Sequence, residues 1–537
     1  MTIQCLATIF VETHDNDSLS KLAKALPGLT SARYHGMKGL FSRPYTYEAL
    51  SRDCTDEALS ILYNDFKKHH NAEKTQIWRT WLVFAAMFSR HDNGTQALDA
   101  LLETKNAGGE VNFLGFRKVS ASLLRRSLSF PGGLRACIGI VDALMKLGVS
   151  LNNEIVNVIV LNAVEAGDLK TAMDVYHSMR DHGLQPDMYT FAILLKACKT
   201  RIDDAEMLND TINDAIRIIN VLEAPVVATE ILHCLALHHT RFHLEKSFLT
   251  LADAYAQLFA LGPLRLVRLL PDKLSQADET TPKPQPRVQD IQIMLDVYLE
   301  QCSTASDSVI RAYDLWQRFK HAMESGQEPF ASMAQTDHVF NAFLGAFTKT
   351  KRGLLRAAEI IKYMQLPNNP DAEFPRIRPT VQTWSIFLYG FSRHGQVHLA
   401  EQVLTYMRSK GIEPNLVTHN SLLVGHALTQ DLDGVLRTVQ RMQTDGHIWD
   451  SWTQGAIQRY RDQDTLRARM QGEALDFTAE LKMNLGAKIG AFIQPDDPFI
   501  RPNDRSVAVA TDRNLAGAGT EATTGHKNPN PSKRACA

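Results

Sequence analysis

Few residues of this chain stand at spacings that could support covalent or metal chemistry. The stretch HCLALHHTRFH, residues 233–243, sets His239 and His243 one helical turn apart and Cys234 one turn from His238. That spacing suits two ligands on one helix face, but no acidic partner or second cluster completes a site, so the segment reads as a packed helix and no metal is expected. The seven cysteines, at 5, 54, 137, 198, 234, 302 and 536, never form a C-x-x-C pair and read as reduced, buried thiols. No G-x-x-x-x-G-K-[ST], H-E-x-x-H or G-x-S-x-G motif occurs, and H-x-E with P-C-x-x-C is missing too. Asp496 and Asp497, in QPDDPF, read as turn residues. The expectation is a chain that is not an enzyme and takes no cofactor.

Binding chemistry is better represented. Between 118 and 152 stand Lys118, Arg125, Arg126, Arg135 and Lys146 against Asp142 alone, a local positive patch. The whole chain has a formal net charge of -1, so any polyanion would have to be met locally. Hydrophobic content of 44% and a mean hydropathy of -0.20 are those of ordinary globular protein, and no apolar run is long enough to span a bilayer. The first 30 residues carry Glu12, Asp15 and Asp17 and no arginine, unlike a mitochondrial presequence.

The elements that must position such groups follow from an internal period. Residues 153–187 and 381–415 are each 35 long and coincide at Gly167 and Gly395, Ala172 and Ala400, Met179 and Met407, Gly183 and Gly411, and Pro186 and Pro414. Each coincidence has a mechanical reading. The first glycine ends one helix, the alanine lets a second helix approach closely, the methionine continues its apolar stripe, the second glycine ends it and the proline prevents its resumption. Residues 416–450 keep Met442 and Gly446 in register, and 118–152 keep Gly148. A longer copy runs from Asp337 to Thr380, its surplus being QLPNNPDAEFPRIRPT. The pattern predicts an all-α solenoid of eight to eleven helix-turn-helix units.

The predicted organisation is a helical lead-in at 1–43, a first block of degenerate hairpins at 44–270, a Pro-rich linker at 271–287, a second block at 288–485, and a loop and disordered tail at 486–537.

On these residues the chain resembles the pentatricopeptide repeat (PPR) proteins, and among them the fungal mitochondrial type with loop-interrupted repeats that serve small-subunit rRNA processing. The openings MYTFAILLKAC at Met188 and VTHNSLL at Val417 are closer to the PPR unit than to the 34-residue tetratricopeptide repeat. The resemblance implies a right-handed superhelix that reads one base per repeat of single-stranded RNA. By the family rule, the reading residues are the fifth of the first helix and the last of the repeat. These are Ser122 with Asn152, Asn157 with Asp187, Asn341 with Thr380, Ser385 with Asn415, and Asn420 with Asp450. Lys118, Arg125 and Arg126 would meet the phosphates. The same resemblance implies a mitochondrial adaptor acting in small-subunit rRNA 5′-end maturation, or in mRNA processing, stability and translation. Its partners would be an organellar transcript or rRNA precursor and the mitochondrial small ribosomal subunit, with no DNA and no membrane span. The rival reading is a protein-protein scaffold without RNA.

Overall fold

The computed structural model describes residues 2–472 apart from 14, 31–39, 42, 70–76, 276–281 and 368–375. Everything regular in it is helical among the described residues. Among the described residues, helices pair in sequence order into twelve hairpins, from Thr2–Glu12 with Asn16–Thr30 to Ser451–Ile457 with Gln463–Gly472, one more than the upper end of the expected range. The predicted tail, with Asp496 and Asp497, lies outside the described residues.

The hairpin Asn153–Glu165 and Leu169–Asp181 shows why the sequence folds as it does. Asn152 accepts a hydrogen bond from the Ile155 amide at the start of the first helix, satisfying one of its free N–H groups. Gly167 sits at φ +77° just past the end of that helix, a left-handed conformation closed to most side chains. Asp168 then caps the second helix through the Thr171 amide. Ala172, Tyr176 and Met179 are buried on its inward stripe, and Gly183 at φ +77° ends it. Ala400, Leu404 and Met407 repeat that stripe in the helix Val397–Ser409, with Gly395 and Gly411 in the same left-handed state.

Hairpins stack so that each first helix packs on the next. Pro44–Ser51, Trp78–Arg90, Leu114–Arg126, Asn153–Glu165, Met188–Thr200, Pro225–Phe242, Val288–Cys302, His338–Thr348, Val381–Arg393, Leu416–Leu428 and Ser451–Ile457 form one ladder, with the second helices as the other layer. One apolar core runs unbroken from Ala7 to Ile155. Its centre is aromatic: Tyr63 meets Trp81, Phe84 and Phe88 edge-on at 5.1 to 5.5 Å.

Two expectations are corrected. The segment 271–287 does not divide the stack, because Val288–Cys302 packs directly on Pro225–Phe242. At its end the Ala260 amide donates to the Pro284 carbonyl. The repeat placed at 118–152 begins four residues earlier, at Leu114 after Phe113. Its opening lacks the short polar cap that marks the starts at Asn153, Met188, Val381, Leu416 and Ser451, so the sequence pattern did not reveal the true boundary.

Candidate nucleic-acid interface

A polar cluster recurs where one first helix meets the next. Asn157, fifth in its helix, donates from Nδ2 to Asp187 Oδ1 at 3.0 Å and accepts from Thr190 Oγ1 at 2.7 Å. Asp187 caps the following helix through the Thr190 amide at 2.9 Å. Asn420 repeats this, donating to Asp450 Oδ1 at 3.1 Å and accepting from Thr453 Oγ1 at 2.8 Å. The fifth residue and the last residue of these two repeats are therefore joined, and one threonine three places past the cap holds both.

The cluster leaves particular atoms free. Asn157 and Asn420 are 8% and 9% exposed, so each offers only a rim of its amide. Asp187 and Asp450 are half-buried, and their Oδ2 atoms have no hydrogen-bond partner among the described residues. What remains is one amide N–H beside one carboxylate oxygen, fixed side by side. That donor-acceptor pair matches the acceptor and donor that adjoin on a base edge.

The other expected pairs differ. Ser385 is 1% exposed, its hydroxyl donating to the Val381 carbonyl at 2.8 Å and shared with Thr418 Oγ1 at 2.7 Å. Asn415 is exposed and accepts from the Thr418 amide at 3.0 Å, so the same threonine links the two, yet the hydroxyl is spent inside the stack. Asn341 occupies the equivalent place: a Cβ on Gly390 would meet Thr348 as one on Gly425 would meet Ser392, and Asn341 precedes Thr348 by the same seven residues as Ser385 precedes Ser392. It is 6% exposed with neither amide atom hydrogen-bonded, and Thr380 donates to Asp337 at 2.5 Å instead of meeting it.

Ser122 is a correction. With the helix starting at Leu114 the fifth residue is Lys118, exposed, while Ser122 lies a turn further on, 3.5 Å from Ser89. Asn152 caps its helix and does not meet Ser122. Arg125 and Arg126, expected to meet phosphate, are engaged within the stack. Arg125 reaches Asn162 at 3.1 Å and Glu165 at 2.8 Å, and Arg126 reaches the Arg90 carbonyl at 2.8 Å and Asp92 at 3.0 Å. Both guanidinium groups tie neighbouring hairpins together.

The same junction recurs where the sequence pattern was silent. Thr80 donates to Glu48 at 2.6 Å, and Thr229 donates to the buried Asp290 while Arg287 stands at the cap. Burial raises the Asp290 carboxyl above the ordinary range, against hydrogen bonds from Thr229 and the Arg287 amide that pull it down. The legible signal was the threonine at the third helical position, present as Thr46, Thr80, Thr190, Thr383, Thr418 and Thr453.

In the helix Pro225–Phe242, Cys234 is buried and donates to the Leu195 carbonyl, and His238 bonds the Ile202 carbonyl. No helix among the described residues is long and apolar enough to cross a membrane.

Residues 152–200 and 379–427 match the PPR repeat family, and 410–446 match the pentatricopeptide repeat domain. No curated protein matches the chain. Among solved structures, the pentatricopeptide repeat protein PPR10 from maize is 15% identical, over 87% of this chain and 78% of that one, with a TM-score of 0.30. PPR10 in complex with an 18-nt psaJ RNA element is 13% identical, over 96% and 72%, also at 0.30. The matched stretches hold Asn157, Asp187, Ser385, Asn415 and Asn420, and Asp450 lies four residues past the last of them, so it is these parts of the chain that are similar to pentatricopeptide repeats.

Proposed function

We propose that the chain binds single-stranded RNA along the face formed by its first helices, without catalysing a reaction on it. The observation that carries this reading is the joined pair of fifth and last residues, Asn157 with Asp187 and Asn420 with Asp450, in repeats of one family. Each pair is held rigid by a threonine, so little side-chain freedom is lost when a base arrives. By likeness to the family code, Asn with Asp favours uracil. The proposed setting is the mitochondrion, in small-subunit rRNA 5′-end maturation or in mRNA processing, stability and translation.

Fluorescence anisotropy with a labelled A/U-rich 12-mer tests it. Affinity should fall steeply as salt rises. Asn157→Ala combined with Asn420→Ala should weaken uracil-containing targets more than adenine-only ones. Equal losses would remove the coding claim, and no salt-dependent binding would favour the protein-scaffold reading.

A further inference from the structure

A second cluster of chemistry-bearing side chains lies within the repeat 416–450. His419, in the helix Leu416–Leu428, meets Asp445 at the end of the helix Leu432–Thr444 and His447 in the turn that follows. Each offers one donor atom, and the three atoms lie within 4.8 Å of one another. His419 Nε2 is 2.9 Å from Asp445 Oδ2, and the two imidazole centroids are 5.5 Å apart.

Two features set this cluster apart from a chance meeting. His419 is fully buried, and its Nδ1 has no hydrogen-bond partner; the buried Nε2 of His447 has none either. Unpaired buried nitrogens are rare because their desolvation goes uncompensated, and here the two histidines beside Asp445 each carry one.

We propose that His419, Asp445 and His447 bind Zn2+. Two imidazoles and one carboxylate are donors this ion accepts, and they leave a fourth position for water. Tetrahedral bonds of about 2.1 Å set donor atoms about 3.4 Å apart, so His419 Nε2 and Asp445 Oδ2, now 2.9 Å apart, must part slightly to admit the ion between them. Asp445 is exposed and His447 half-buried, next to Gly446 at φ +73°, whereas burial fixes His419. Arg408 opposes the ion, because its guanidinium already holds Asp445 Oδ2 at 3.1 Å. Zinc would clip the turn leading to Asp450 onto the helix one residue before Asn420. The site does not depend on RNA being the partner.

Titration calorimetry of ZnCl2 into the chelator-stripped full-length chain tests the assignment, with circular dichroism confirming that each variant keeps its helices. His447→Ala and Asp445→Asn, neither at a fully buried position, should each weaken one Zn2+ equivalent by about tenfold or more. Arg408→Gln should tighten the same equivalent severalfold by freeing the carboxylate. Identical zinc stoichiometry and affinity in the parent chain and all three variants would overturn the proposal, whatever the RNA titrations show.

Discussion

At the scale of single residues, the decisive group is one that the reading pairs do not include. Thr190 and Thr453 each bridge a fifth-position asparagine and a capping aspartate, so one threonine orders both side chains of the proposed reading pair at the start of a helix. A longer polar side chain there would not fit a position that is completely buried. The corrected register gives a sharp test. Lys118, exposed at the true fifth position, is expected to meet phosphate, so Lys118→Glu should weaken RNA binding across sequences and lower the salt slope by about 1. Ser122→Ala, a turn away, should leave both unchanged. The reverse pattern in anisotropy titrations would restore the original register.

At the scale of helices, glycine sets the length of each unit, but not always for the same reason. Gly183 ends a helix at φ +77° with open space where a Cβ would go, so Gly183→Ala meets only backbone strain, about 1 kcal/mol. Gly353 has an ordinary φ but caps the helix Leu354–Gln365 against the preceding one, and a Cβ there would run into the Phe347 carbonyl. Backbone cannot swing aside as a side chain does. Gly353→Ala should therefore cost more than Gly183→Ala, roughly 1–3 kcal/mol. Urea denaturation of the two variants checks the order.

At the scale of the whole stack, stability comes from neighbour-to-neighbour ties repeated along the chain. Glu401 in one second helix binds Arg441 in the next at 2.8 Å and His426 between them at 3.2 Å. Burial pushes its carboxyl up, but the hydrogen bonds from His426 and Arg441 outweigh this and bring it down to about 2, from an ordinary 4.5. A carboxyl held lower in the folded state stabilises the fold above its unfolded value, and that contribution is lost as pH falls through the folded one. The melting temperature should thus drop between pH 4.5 and about 2, and Glu401→Gln should flatten this part of the profile while lowering stability at pH 7. Thermal melts followed by circular dichroism at both pH values measure it.

The sequence by itself determined the helical hairpin, its 35-residue period and its stops, because these rest on local chemistry: caps, left-handed glycines and one apolar stripe per helix. It also located Asn157, Asp187, Asn420 and Asp450, since regular caps fix the counting frame. Where the cap was an apolar Phe113, counting failed by four residues and named Ser122 in place of Lys118. The tertiary structure alone decided how adjacent hairpins use their polar groups. Arg125 and Arg126 look free in a linear reading but are spent on Glu165 and Asp92 of neighbouring repeats, and Ser385 is spent on Thr418. Only stacking brought Asp290 to Thr229 across a proline-rich segment, and only the packing of two helices of one hairpin brought His419 to Asp445 and His447. Hydrogen bonds between side chains 26 to 61 residues apart depend on where whole helices come to rest, and no local pattern encodes that.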